Sequence, residues 1–382
     1  MKSSSLDLLE PSKSALTVQE YSDFESLAPL RDAWNHLVRS TNLSPAEEFD
    51  WFATLWQLHH ASRTLIVLVV RDESGITGIA PLVKNTERRK GKRVEILRTL
   101  GSFHALHGTP FLLGRRSRDT AEVLFSYLDK YHRSWTLLFL GFLRESEAEK
   151  IVLTELSKRG HTIRTQPAEN SPYLELKGSF EEKLKSLQPR FRTTLRSRDR
   201  RLRQKGQIEL RFLDAPSMWQ LGLEAIREIE NDSWKVAAGT AITVQQFQWD
   251  FYRAYAPKAS AAGILRIPVL YVDGEPVAYD YALLDRGTYF LMKTSYKAGW
   301  RDFYPGVVLR YLLIQRLYSE NARELDFLGR DEDWKLKWTE TVRAHAMHTV
   351  FRRSFAGSYL LACHKAASWL REFMAALNMR AQ

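Results

Sequence analysis

Cysteine is almost missing from this chain: Cys363 stands alone in 382 residues. No intrachain disulfide can form, and no cage of thiolates can hold zinc. Long apolar runs are missing as well. Thr64 to Val70 and Thr136 to Leu143 are only strand-length, far below the roughly 18 residues that would span a bilayer, so no integral membrane segment is expected. Met1 to Lys13 carries Asp7 and Glu10 where a secretory leader needs an apolar core. With the lack of disulfides, this sets a cytoplasmic location as the expectation. No nucleophile elbow, Walker loop or dinucleotide fingerprint occurs, which leaves hydrolase, NTPase and Rossmann oxidoreductase readings without support. His345 and His348 fall on a predicted strand three residues apart, a spacing that turns side chains to opposite faces, and His104 and His107 repeat that spacing. No metal site is expected.

What is present is the balance of a folded protein, with 44% hydrophobic and 26% charged residues. The length predicts two domains. Lys plus Arg number 56 against 45 acids, a formal charge of +11, and an anionic partner follows as an expectation.

Residues 1–16 are Ser-rich and aperiodic and read as a disordered lead-in. Two helices are predicted next. The second has Ser44 as its cap, Pro45 in its first turn, Glu47 completing a capping box, and an apolar stripe of Phe49, Phe52, Leu55 and Trp56. A hairpin follows, Leu65 to Val70 and Ile76 to Val83, turning at Arg71 to Gly75. A strand at Val94 to Leu100, a helix at Asp119 to His132, a strand at Thr136 to Phe142 and a helix at Glu145 to Arg159 complete an α/β half. The first domain is set at 17–177 and the second at 178–382.

The second domain opens with a helical bridge. Ser179 and Glu182 can cap one short helix, and Pro189 opens another that runs to Lys205. From Arg190 to Gly206 eight Lys or Arg face one acid, Asp199, so this stretch supplies +7 of the net +11. Leu187, Phe191, Leu195 and Leu202 give it one packing face. The remaining faces suit a solvated bridge, a wall of a cleft for an anionic substrate, or nucleic acid. The plan of the first half then returns: strands Gly263 to Val272 and Pro276 to Leu284 around a turn at Asp273, then Thr288 to Ser295. Asp72 and Asp273 mark the two hairpin turns 201 positions apart, which indicates duplication of a domain. A loop, Lys297 to Gly306, leads into an apolar helix, Val307 to Tyr318, and a short strand, Glu324 to Leu328. A strand at Ala344 to Arg352 and an amphipathic helix at Ser358 to Leu377 close the chain.

Three stretches of the second half carry a family likeness. They are Glu230 Asn231 Asp232 Ser233 Trp234 Lys235 with Gly239 Thr240 Ala241, Phe303 Tyr304 Pro305 Gly306, and Leu325 Asp326 Phe327 followed by Asp331 to Trp338. In this order and spacing the chain resembles the GNAT acyltransferase superfamily in its duplicated, Fem-like form, close to the CelD-type acetyltransferases associated with bacterial polysaccharide synthesis. The resemblance covers roughly Leu27 to Phe355. It implies an α/β fold of tandem GNAT-like mixed-sheet domains joined by the basic bridge, and acyl transfer from acetyl-CoA or another acyl-CoA. The acceptor it implies is an amine or hydroxyl on a sugar, a nucleotide-sugar or a cell-envelope precursor. An aminoacyl-tRNA-dependent Fem-like transferase and a catalytically silent module binding an anionic polymer remain the alternatives.

Backbone amides that open a helix can hold a pyrophosphate, so Gly306 and Val307, with Arg301 and Arg310 nearby in sequence, are the candidate donor site; ordinary helix initiation by Pro305 explains the same residues. The loop departs from the usual superfamily pattern, which has more glycine. For acid–base work the candidates are Glu230 with Asp232, and Asp331 with Glu332, each also readable as a solvated acid. The resemblance singles out Lys335 beside Trp334 as the residue nearest the chemistry, with a surface lysine as the alternative, and its loss is expected to reduce turnover with little change in melting temperature. Tyr296 and Tyr304 are candidate proton donors, and Trp234, Lys235, Arg192 and Arg196 are candidate acceptor contacts.

Overall fold

The computed structural model describes residues 15–59, 63–100 and 111–366. The first half runs β1 (Thr17–Tyr21), α1 (Arg31–Ser40), α2 (Phe49–His59), β2 (Thr64–Asp72), β3 (Gly75–Arg89), β4 (Lys92–Thr99), β5 (Leu112–Leu113), α3 (Ser117–Tyr131), β6 (Trp135–Leu143), α4 (Glu147–Lys158), β7 (Thr162–Pro167) and β8 (Ser171–Glu175). The bridge is α5 (Phe180–Ser186) and α6 (Pro189–Arg203). Beyond it come β9 (Ile208–Phe212), α7 (Trp219–Asn231), α8 (Trp234–Ala237), α9 (Gln246–Ala261), β10 (Leu265–Arg266), β11 (Pro268–Val272), β12 (Glu275–Asp285) and β13 (Thr288–Tyr296). The chain continues through α10 (Pro305–Ser319), β14 (Glu324–Asp326), α11 (Asp333–Leu336), β15 (Val342–Arg343), β16 (His345–Phe351) and a helix over 355–366.

Local chemistry accounts for the landmarks. Ser179 and Glu182 form the reciprocal capping box that opens α5, and Pro189 stands in the first turn of α6. Ser44 caps a separate 3-10 turn, Pro45–Glu47, so α2 itself starts only at Phe49. Where a helix is expected directly after residue 16, the chain first makes β1, because the stretch pairs antiparallel with β2 along Thr17–Arg71 to Tyr21–Val67. Of the expected terminal helix, Trp369, Leu370, Phe373 and Leu377 lie outside the described residues, as do His104, His107 and residues 1–14.

Two eight-stranded sheets form among the described residues, in the orders β1-β2-β3-β4-β6-β16-β7 and β15-β8-β14-β13-β12-β11-β9, with β5 on β3 and β10 on β12. Each has one parallel pair, β4 with β6 and β13 with β14, and in each a helix, α3 or α10, joins the pair. The run β2-β3-β4-α3-β6 is thus repeated as β11-β12-β13-α10-β14, the duplication expected from the sequence.

Pairing crosses the expected 177/178 division in both directions. The strand β16, from the end of the chain, lies between β6 and β7 in the first sheet, while β8 of the first half pairs with β14 and β15 in the second. One apolar core also spans both halves: Trp51 on α2 sits edge-on to Phe251 at 4.7 Å and to Tyr255 at 4.9 Å, both on α9. Aromatic pairs of this kind contribute about 0.5 to 1.5 kcal/mol beyond area burial. The exchanged strands and this core fix the halves to each other, and so fix the walls of the site described next.

Candidate active site

The parallel strands β13 and β14 pair only from Thr288–Glu324 to Phe290–Asp326, after which β14 ends and β13 continues to Tyr296. The chain leaves β14 through Leu328 and Gly329, both left-handed, at φ 50 and 57 degrees. A leucine in that region is unfavourable by about 1 kcal/mol, and the turn is held by Asp326, fully buried, which accepts from Leu328 N at 2.8 Å, Ser171 Oγ at 3.1 Å and Arg343 at 2.8 Å. The strands therefore part like a V, at their carboxyl ends, where open α/β sheets hold ligands. A bulge at Met292, between the pairs Tyr281–Lys293 and Ala282–Leu291, re-aims the β13 side chains at this opening.

One bank of the V is built by α7, α8 and β12. Glu230 is fully buried and accepts from Tyr279 Oη at 2.7 Å and from Ile242 N at 2.9 Å. It is therefore not a solvated helix end. Lys235 Nζ donates to the carbonyl of Thr294 on β13 at 2.5 Å and lies 3.8 Å from Glu230. Burial lowers the Lys235 pKa, opposed by the charges of Glu230 and Glu332. The Tyr279 hydroxyl is pushed far up by burial and then by Glu230, so it remains a proton donor. Lys293 stands on the same bank, its ammonium 5.8 Å from the Tyr252 ring centroid.

The other bank is the loop after β14. Lys335 is buried, at 5% exposure, and donates to Leu328 O at 2.7 Å and Arg330 O at 2.9 Å, with Glu332 at 3.1 Å. The surface-lysine alternative is thereby corrected: the loop wraps around the ammonium. Burial lowers its pKa, Glu332 opposing. Trp334 packs edge-on to Phe327 and donates its indole N–H to Glu332 at 3.0 Å. Because Glu332 acts on both Lys235 and Lys335, the two banks form one electrostatic cluster. Asp331 is exposed and bonded to Asn170 at 3.1 Å. Trp234 is 49% exposed beside Lys235.

The start of α10 adjoins this opening through Tyr296, whose ring lies against Gly306. Tyr304 caps the helix in a left-handed conformation, φ 56 degrees, directly before Pro305, and no side chain caps it. Both the left-handed region and its position before proline disfavour that conformation for tyrosine. Arg198 of α6 stacks on the Tyr304 ring at 3.9 Å, and Lys205 and Arg201 lie 4.7 and 5.6 Å from the Phe303 ring centroid. The basic bridge thus flanks the positive end of α10, where anions are favoured. Arg301 is exposed there.

Two expected donor contacts are corrected. Val307 N–H bonds back to Tyr304 O at 3.0 Å, a tight first turn that engages it within the chain. Arg310 is 2% exposed and makes a two-pronged bond to Asp280, at 2.7 and 2.9 Å, because its face of α10 packs onto the sheet and a buried charge needs its counterion. Arg192 bonds locally to Lys185 O, and Arg196 is exposed on α6. Lys293, Tyr279 and Asp280 escape a motif-based reading. The available signal is a lysine directly after the apolar run Tyr289 to Met292, inside the same strand.

A described cleft of about 660 Å³ lies at the opposite ends of β13 and β14, between Thr41 to Ser44 and Arg286. Its arginines are engaged, Arg286 with the carbonyls of Arg39 and Leu43 and Arg343 with Glu324 and Asp326. It is a seam between the halves, without the convergent donors of the V.

Residues 189–336, from α6 through α11, match the family model of the Acetyltransferase (GNAT) domain. No curated protein matches the chain. A conserved protein of unknown function from Bacteroides thetaiotaomicron superposes with a TM-score of 0.56 at 13% identity, over 85% of this chain and 97% of that one. FemX superposes with a TM-score of 0.56 at 11% identity, over 86% of this chain and 96% of its own. Residues 189–336 are thus similar to a GNAT domain, and the fold of the chain is the duplicated mixed-sheet fold that it shares with FemX.

Proposed function

We propose that this protein transfers an acyl group, acetyl in the first instance, from acyl-CoA to an amine or hydroxyl of a sugar, a nucleotide-sugar or a cell-envelope precursor. The observation that carries the reading is the V between β13 and β14, with Lys235 and Lys335 on its two banks. Attack on a thioester places negative charge on the carbonyl oxygen, and ammonium groups held in a low-dielectric cleft stabilise it without reorganising. Gly306, the uncapped α10 terminus and the cations Arg301, Arg198, Arg201 and Lys205 suit the donor's phosphates. Trp234 and Trp334 border the opening and suit the flat face of a sugar ring, with Arg192 and Arg196 further along α6 for an anionic acceptor.

Acetyl-CoA with a panel of amino sugars, read by thiol release, tests the proposal, and thermal stabilisation by acetyl-CoA is the simpler first measurement. Neither stabilisation nor thiol release would remove it. One observation favours a second reading, an aminoacyl-tRNA donor: the basic face of α6. An RNA interface loses affinity steeply with salt, so donor binding that is flat in salt excludes that version.

A further inference from the structure

Lys293 follows the Met292 bulge on the part of β13 that has no partner strand on its outer side among the described residues. It is largely buried, yet among the described residues nothing accepts a hydrogen bond from it and no carboxylate pairs with it. The groups facing it are Glu230 from α7, Lys235 from α8, Tyr252 from α9 and its cross-strand neighbour Tyr281 from β12. Glu230 already accepts from Tyr279 and Ile242 and is nearer to Lys235, so it is not a dedicated counterion for Lys293.

An ammonium without a counterion, taken out of water and set beside a second ammonium, is disfavoured against the neutral amine. Burial, then repulsion from Lys235, brings Lys293 down to about 8. A basic group titrating near the working pH is the kind that general catalysis requires. The acids of the site are less suited: Glu230 is closed off by its partners, and Asp331 is held at the surface by Asn170.

We propose that Lys293 is the base that removes the proton from the acceptor's amine or hydroxyl as the acyl bond forms. This rests on the acyl-transfer reading above and names its proton acceptor. The acceptor's proton moves to the Lys293 nitrogen, and its lone pair attacks the thioester carbonyl. The carbon–sulfur bond then breaks, and the departing thiolate takes a proton back from the Lys293 ammonium. Atoms and charge balance to an acylated acceptor and a free thiol. Lys235 contributes as a fixed charge that keeps the neighbouring amine free of its proton.

The test compares wild type, Lys293→Arg and Lys293→Met by thiol release from acetyl-CoA across neutral to alkaline pH. In parallel, competitive labelling with acetic anhydride reads the titration of Lys293 without any turnover. The expected results are a wild-type kcat/KM that rises with a midpoint of about 8, a loss on the order of a hundredfold or more in both variants, and labelling of Lys293 at lower pH than the surface lysines. Turnover that survives in Lys293→Arg with an unchanged pH profile, or labelling at the ordinary lysine pH, overturns the inference while leaving acyl transfer intact. A wild type that releases no thiol with any acceptor overturns the acyl-transfer reading itself, and the base role with it.

Discussion

Lys335 and Leu328 are joined across the loop that ends the second parallel strand: the lysine ammonium donates to the leucine carbonyl at 2.7 Å, and to Arg330 O at 2.9 Å. The side chain proposed to act at the opening is also the side chain that holds the loop in shape. Lys335→Ala should therefore lower turnover more than tenfold, and should also destabilise the protein, because stranded buried carbonyls cost about 1 to 3 kcal/mol each. The stability-neutral outcome expected from the sequence is revised on this ground. Urea unfolding together with thiol release separates the two effects, and an unchanged unfolding midpoint would show that the loop does not depend on the lysine.

Asp280 and Arg310 are both buried, and each is the other's ionic partner. Removing one leaves an uncompensated charge in the core, at about 3 to 5 kcal/mol. Asp280→Ala should show that loss in urea, and Asp280→Ala with Arg310→Met should recover much of it. A double variant no better than the single would refute the pairing argument.

The sign of a pH effect follows from Lys293. Its pKa is lowered in the folded state, from 10.5 to about 8, so between those two values the unfolded chain binds more protons and stability rises with pH. Below that window the wild type carries the full burden of a buried ammonium, on the order of 3 kcal/mol. Lys293→Met should be the more stable protein at neutral pH, with its advantage shrinking as pH climbs through the window. Parallel stability curves for the two proteins would contradict this.

Strand exchange predicts an outcome for truncation. Ending the chain after Glu340 leaves residues 189–336 intact but removes β16, which fills the place between β6 and β7. Two strand edges of the first sheet would then be open, the usual template for association. The truncated chain should aggregate or elute as oligomers in gel filtration, whereas a soluble monomer would argue that the halves are independent.

Much of the fold was legible because its signals are local. The two hairpin turns at Asp72 and Asp273 and the Ser179–Glu182 cap each depend on residues a few positions apart, and the structure bears them out. The same holds for α6 and for the strand–helix–strand crossover through α10. Likeness singles out Glu230, Lys235 and Lys335 as candidates; their hydrogen-bond partners, and the interaction of Glu332 with both lysines, are set by the tertiary structure. The engaged Val307 N–H and the inward-facing Arg310 were not legible, because nearness in sequence says neither which amides a first turn uses internally nor which face of a helix meets the sheet.

By itself the sequence determined the two hairpins, the helices of the bridge, where the charge concentrates, and that one plan occurs twice. Tertiary structure alone decided that β16 and β8 change sheets, that Arg310 turns inward to Asp280, and that Lys293 stands without a counterion beside Lys235. The physical reason is range. Backbone propensity and capping act within a turn or two, whereas strand partners, buried ion pairs and the dielectric around an amine are set by groups tens to hundreds of residues away, and these acquire values only when the chain closes on itself.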